Sequence, residues 1–197
     1  FNGTERYVVD LAKNLNKDEF NVIVATPMKG PLSEILKENN VREEVYNNDK
    51  KYYYSLKGLY NLYRIMKSNK IDIVHANAKF HPCIAAIFAG VKLKIETRHG
   101  IFYSKKQLEN LSFLRKVYEY AKQFFVNDFI ATSENDKETL IKYFKISRKK
   151  VSVLFLGIDF KDMENRSEGL FSYKPYIPGT DFIIGHIGRL TYQKAQE

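Results

Sequence analysis

Short apolar runs alternate with stretches of helical period along almost the whole chain. In "TERYVVDLAKNL", Tyr7, Val8, Leu11, Ala12 and Leu15 recur on one helical face, with Glu5 in the first turn, where the helix dipole favours an acid. The β-branched run "FNVIVAT" (20–26) reads as a strand stopped by Pro27. "PLSEILKENN" predicts a short helix with proline at its start, a position that suits its fixed φ. "VREEVY" follows as an edge strand, then "SLKGLYNLYRIMKSNK" with Leu56, Leu59, Tyr60, Tyr63 and Met66 at helical spacing. Strand "IDIVHAN" leads to helix "HPCIAAIFAG", which should end at Gly90, and then to strand "LKIETRHG". One long basic and aromatic helix is expected over "LENLSFLRKVYEYAKQFF", before strand "DFIATS", helix "ENDKETLIKYFK" and strand "KVSVLFLGID".

Strands fed by helices in strict alternation argue for a parallel sheet covered on both faces, a doubly wound α/β fold. The first domain is expected over 1–159 and a linker, with proline, glycine and no clear period, over 160–180. A new strand starts at Asp181 and opens a second domain over 181–197. The segment 1–3 resembles the loop after a first strand, yet no strand precedes it. Since the first strand of such a sheet is usually central, the expectation is a fragment trimmed at both ends, its first strand missing.

Composition narrows the chemistry. Cys83 is the sole cysteine, so an internal disulfide and a cysteine-based zinc site are excluded, and its apolar neighbours suggest a buried thiol. No apolar run is long enough to span a membrane, and a reducing cytoplasm fits best. The net charge of +9 has two readings: lysines on solvated helix faces, or attraction to an anionic partner. The dinucleotide and phosphate-loop glycine signatures, the G-x-S-x-G elbow and the D-x-D metal clamp are all absent. His75, His81, His99 and His186 include no zinc-like i, i+4 pair, and His75, inside a strand, reads as a satisfied core histidine.

In an open α/β sheet, ligands gather at the carboxyl ends of the strands. Those ends carry Asn77, Arg98, His99, Gly100, Thr132, Ser133 and Glu134, with Gly3 in the loop before the first helix. Ser133 can also cap the helix that follows, and the two roles are compatible. Gly3 allows a ligand to approach a helix N-terminus, where amides attract anions; its plainer reading is a tight turn. Arg189 and Lys194 follow a strand and glycine turn. Fixed cations there would stabilise a departing diphosphate, whose charge grows as its bond breaks.

The ordered set "NGTERYVVDLAKNL", "IDIVHAN", "TRHG", "FIATSE", "GIDF" and "IGRLTYQKAQE" resembles the family 4 glycosyltransferases over nearly the whole chain. The resemblance implies the GT-B fold, two Rossmann-like domains facing a cleft. It also implies transfer of a sugar from a nucleotide sugar to a glycan or lipid-linked acceptor, with retained configuration, no metal and no cofactor. By resemblance, Gly3 matches the glycine loop near the donor phosphates, and His99 the catalytic "HG" histidine near the donor sugar. Asn77, Arg98, Gly100, Ser133 and Glu134 fall on the acceptor-side cleft, and Arg189 and Lys194 match the pair that holds the donor diphosphate. Departures are Asn2 in place of a second glycine, Leu156 in place of the asparagine before "GID", and Ala195 where glycine often follows the lysine. The family's E-x7-E segment does not occur before Glu197, so these residues alone are expected to bind donor weakly and turn over poorly.

Two other classes remain at this stage: a GT-B nucleotide-sugar epimerase and a non-catalytic nucleotide-binding module. A nucleic-acid partner is not expected, since no arginine stripe or RNA-binding signature occurs. The stretch 103–125 also has two readings, a helix with aromatics inward and lysines in water, or an interfacial helix meeting an anionic membrane surface. The location implied is cytoplasmic, at the inner face of the plasma membrane on the second reading.

Overall fold

The computed structural model of the chain describes residues 3–46, 55–77 and 79–157. The chain divides into two units, Phe1–Leu156 and Gly157–Glu197, and the elements below belong to the first. The expected linker over 160–180 and the second-domain start over 181–197, with Arg189 and Lys194, lie outside the described residues.

The described elements alternate much as the pattern predicts. Helix α1 (Gly3–Asn14) precedes β1 (Ile23–Thr26), α2 (Pro31–Glu38) and β2 (Arg42–Val45). Then come α3 (Leu56–Ser68), β3 (Ile73–Asn77), α4 (His81–Ala89) and β4 (Leu93–Arg98). After α5 (Lys105–Glu109) and α6 (Phe113–Ala121), a 3₁₀ turn at Lys122–Phe124 leads into β5 (Asp128–Ala131), α7 (Glu134–Lys142) and β6 (Val151–Val153). Among the described residues every strand pairing is parallel, in two sheets: β1–β2, and β3–β4–β5–β6. Among the described residues, β1 and β3 each pair along one edge.

Local chemistry sets the element ends. Gly90 closes α4 in the left-handed region at φ 76°, where glycine avoids the Cβ penalty. The single helix expected over 108–125 is two helices. Ser104 starts α5 with a reciprocal bond to Gln107, and Ser112 starts α6 by accepting from the Arg115 amide at 3.3 Å. Hydroxyls that favour caps over helix interiors interrupt the apolar period there.

Pleating splits the larger sheet's side chains between two faces. Val74, Ala76, Phe129, Ala131 and Val151 share one core cluster with Leu62 and Met66 of α3, Cys83 and Ala86 of α4, and Leu140 of α7. A smaller cluster joins Val9 and Ala12 of α1, Val24 of β1 and Leu36 of α2. Cys83 is fully buried and its thiol is pushed up to about 12, by burial first and Glu96 second, so it stays an inert packing group.

Helix α6 overturns the inward-aromatic reading. Phe113 and Leu114 are each 78% exposed and Phe124 68%, whereas Glu119 and Lys122 are 1% and 4% exposed. The buried charges meet strand β4: Lys122 Nζ lies 2.9 Å from Glu119, and Arg98 lies 3.2 Å from Glu96 and 3.6 Å from Glu119. Lys122 also sits 5.3 Å from the centre of the Phe80 ring and 5.1 Å from that of Tyr118. Each buried charge thus has an opposite charge beside it, which such burial requires.

Candidate functional site at the carboxyl edge of the sheet

At the ends of β3 and β4, four side chains converge with one from α1. His99, the first residue past β4, places Nε2 2.9 Å from Asn77 Oδ1 at the end of β3. Two residues further back along both strands, His75 Nε2 lies 2.6 Å from Thr97 Oγ1. Tyr7 of α1 packs edge-on against both imidazoles, 4.8 Å from the His99 ring and 6.2 Å from the His75 ring. His75 and Asn77 share a strand face by the period of two, and Val74 and Ala76 share the other, in the core cluster with α4.

Burial holds both imidazoles below their ordinary range; His75 is also lowered by the charge on His99. Both rings are therefore neutral at neutral pH. With Asn77 Oδ1 as acceptor, His99 carries its hydrogen on Nε2 and keeps a lone pair on Nδ1. The reading of His75 as a satisfied core histidine holds for its Thr97 contact but not for its place: the residue is half-buried and belongs to this cluster.

The loop that carries His99 is held by two hydrogen bonds from the β5–α7 junction. Asp136, in the first turn of α7, accepts the Ile101 amide at 2.8 Å. Thr132 Oγ1 donates to the Arg98 carbonyl at 3.3 Å. Gly100 has φ 92°, and a Cβ built there would lie 2.6 Å from the Phe102 ring, so the position suits glycine on two counts. Ser133 does cap α7: its Oγ accepts from the Asp136 amide at 3.1 Å and donates to the Asp136 carboxylate at 2.8 Å.

The other candidates are placed as follows. Gly3 begins α1, is exposed, and has open space around a would-be Cβ. Glu134 begins α7 with a side chain 66% exposed, 3.6 Å from Lys137 Nζ. Arg98 directs its guanidinium to Glu96 and Glu119 and meets the His99 loop through its carbonyl. Tyr7, Thr97 and Asp136 are site residues that the sequence reading did not name. The "TRHG" and "ENDKETLIKYFK" stretches contain two of them, but Tyr7 looked like one of several core positions on its helix. Among the described residues, no group of three or more His, Cys, Asp or Glu is arranged to hold a metal ion.

A neutral, oriented imidazole and a carboxamide on one sheet edge can bind a polar, uncharged group. Known proteins resemble this chain in sequence and architecture. The UDP-Gal:alpha-D-GlcNAc-diphosphoundecaprenol alpha-1,3-galactosyltransferase of Escherichia coli is 25% identical over 207 residues, covering 98% of this chain and 51% of that protein. A glycosyltransferase from Rickettsia africae superposes with a TM-score of 0.63 at 20% identity, over 88% of this chain and 47% of its own. Anabaena HepE, solved in complex with UDP, gives a TM-score of 0.62 at 17% identity, over 86% and 47%. The chain spans about half the length of the curated relative it matches. These likenesses bear out the parallel, Rossmann-like α/β fold. Residues 1–162, well over half the chain, match the family described as Glycosyltransferase Family 4, and the chain belongs to that family.

Proposed function

We propose that the protein transfers a sugar from a nucleotide-sugar donor to a glycan, polysaccharide or lipid-linked acceptor, with retention of configuration and without a metal or cofactor. The bond between the anomeric carbon and the diphosphate oxygen breaks with its electron pair staying on the diphosphate. The acceptor hydroxyl oxygen bonds to that carbon, and the hydroxyl proton passes to the departing diphosphate. The observation that carries this reading is the His99–Asn77 pair at 2.9 Å on the carboxyl edge of the sheet, in a chain of this family. A neutral imidazole with its hydrogen fixed on Nε2 can accept from a sugar hydroxyl at Nδ1 without repelling an oxocarbenium-like centre.

In this reading Gly3 opens the α1 N-terminus to donor phosphate, and Arg189 and Lys194 neutralise the leaving diphosphate. Asn77 orients His99, Gly100 shapes its loop, and Ser133 and Glu134 border the acceptor. The galactosyltransferase relative is named for a UDP-sugar donor and a diphosphoundecaprenol-linked acceptor, and HepE was solved with UDP; both support a uridine nucleotide donor here. Work on a lipid-linked acceptor in the cytoplasm would bring the protein to the inner face of the plasma membrane as a peripheral enzyme of cell-envelope polysaccharide synthesis.

The test is transfer of label from a panel of UDP-sugars to lipid-linked glycans by the protein, in the presence of EDTA. Retained product and loss of at least a hundredfold in kcat with His99→Ala are expected. Absolute dependence on a divalent metal, an inverted product or an unaffected His99→Ala enzyme would overturn the reading. Residues 1–197 alone are expected to bind UDP-glucose or UDP-GlcNAc weakly by isothermal titration, and a submicromolar site would contradict that.

A further inference from the structure

Helix α1 serves two neighbours from different sides. Val9 and Ala12 enter the smaller core cluster with Val24 and Leu36. Tyr7 stands about 160° round the helix from Val9 and meets the rim of the larger sheet instead. There its ring packs edge-on against two imidazoles, 4.8 Å from His99 at 69° and 6.2 Å from His75 at 86°. Tyr7 and both histidines are half-buried, so each keeps part of its surface in water.

The two imidazoles are held differently. His75 lies within β3, and its Nε2 meets Thr97 Oγ1 at 2.6 Å. His99 lies past the end of β4, and its bond to Asn77 fixes one ring atom, Nε2. The second side-chain torsion of histidine is broad, and turning about it swings Nδ1 further than Nε2. A ring pinned at Nε2 therefore needs a second contact to fix its plane. The Tyr7 ring supplies that contact.

We propose that Tyr7 is a positioning residue for His99: its ring sets the plane of that imidazole and so aims Nδ1 at the sugar hydroxyl. The use of Nδ1 rests on the transferase reading; the setting of the ring does not. Gly3 opens α1 about one turn before Tyr7, so the helix whose start is offered to donor phosphate also carries the side chain that aligns His99. Both contacts are made through the ring, so phenylalanine should serve in place of tyrosine.

Side-chain nitrogen NMR of His99 in the protein without substrate reads the ring directly. In the unsubstituted protein His99 should carry its hydrogen on Nε2 and titrate below the ordinary histidine range, since burial lowers it. Tyr7→Ala should raise that titration toward the ordinary range and mix the two tautomers, whereas Tyr7→Phe should keep the original behaviour. The other titratable ring in the cluster is His75. Arg98 directs its guanidinium to Glu96 and Glu119, and the Asp136 carboxylate is taken by the Ile101 amide and the Ser133 hydroxyl. His75, further from Tyr7 and bound to Thr97, should move less. An unchanged His99 in Tyr7→Ala, or equal movement of both histidines, would overturn the proposal.

Kinetics give the second readout. In the transfer assay Tyr7→Ala should lower kcat about tenfold with KM for the UDP-sugar within about twofold, and Tyr7→Phe should restore kcat. Val8→Ala trims the packing of α1 on the smaller cluster and should leave kcat unchanged. Equal losses for Val8→Ala and Tyr7→Ala would assign the effect to helix packing, and a phenylalanine variant as poor as alanine would assign it to the hydroxyl; either overturns the proposal. Absence of transfer by the unsubstituted protein would refute the transferase reading alone, and the NMR comparison would still decide what Tyr7 does.

Discussion

The Asp136 carboxylate accepts the Ile101 amide at 2.8 Å, joining the first turn of α7 to the loop after β4 across 35 positions of sequence. The same carboxylate takes the Ser133 hydroxyl at 2.8 Å, so one buried acid both steadies a helix start and fixes the segment that presents His99. Asp136→Ala removes the acceptor and leaves the Ile101 amide to find water. A loss of about 1–3 kcal/mol in urea unfolding is expected, with faster hydrogen exchange at Ile101. Asp136→Asn keeps one carbonyl oxygen for that amide and should cost less than the alanine variant. Equal losses for the two would show that the Ile101 bond is not what the carboxylate contributes.

Gly100→Ala separates strain from crowding. The backbone there sits at φ 92°, and the added methyl meets the Phe102 ring, itself 70% exposed and free to swing away. Backbone strain is therefore the larger effect, costing about 1–3 kcal/mol. The double change Gly100→Ala with Phe102→Ala should retain most of the loss measured in the single variant. Full recovery of the unfolding midpoint in the double variant would instead make the ring clash the cause.

Acid should destabilise the fold through its half-buried histidines. His81 is lowered to about 4, by burial first and Lys79 second, and His75 and His99 are lowered in the same direction. The unfolded chain takes up these protons near its ordinary pKa of about 6.5, before the folded chain does. The stability each confers is thus complete above about 6.5 and falls as pH drops below it; for His81 the window runs toward about 4, below which its contribution stops changing. His81→Gln should reduce the fall between those limits by on the order of 1–2 kcal/mol, after allowing for solvent screening. Denaturant midpoints measured against pH for both proteins give the difference, and parallel curves would contradict the assignment.

The buried charges between α6 and β4 should respond differently to single and paired removal. Glu119→Ala leaves Arg98 and Lys122 with Glu96 as their shared acid, and a loss of about 3–5 kcal/mol is expected. Glu119→Leu with Lys122→Met replaces opposite charges by apolar groups of similar size and should recover much of that loss. A double-mutant cycle by thermal unfolding reads the coupling. Additive losses would mean the two residues act independently despite their 2.9 Å contact.

Much of the architecture followed from local pattern. The β-branched runs became β1, β3, β4 and β5, and Gly90, Ser55 and Ser133 end or begin helices where their chemistry suggests. Asn77, His99 and Ser133 could be named because parallel strands bring their carboxyl ends to one edge, a consequence of topology rather than of any one side chain. Local pattern failed where a side chain serves a distant partner. Tyr7 looked like core on α1, yet Val9 and Ala12 take that place and Tyr7 turns to the two imidazoles. Asp136 looked like an acid in a helix's first turn, and only the approach of the β4 loop gives it the Ile101 amide.

Helix α6 shows the same division most plainly. Its sequence established a helix with aromatics on one side and charges on another, since spacing alone determines which residues share a face. Which face turns inward was decided by β4, because Glu96 and Arg98 stand beneath it and need opposite charges more than apolar cover. Periodicity is a property of neighbours along the chain; the partner that selects between two faces comes from elsewhere in it, and only the fold brings them together.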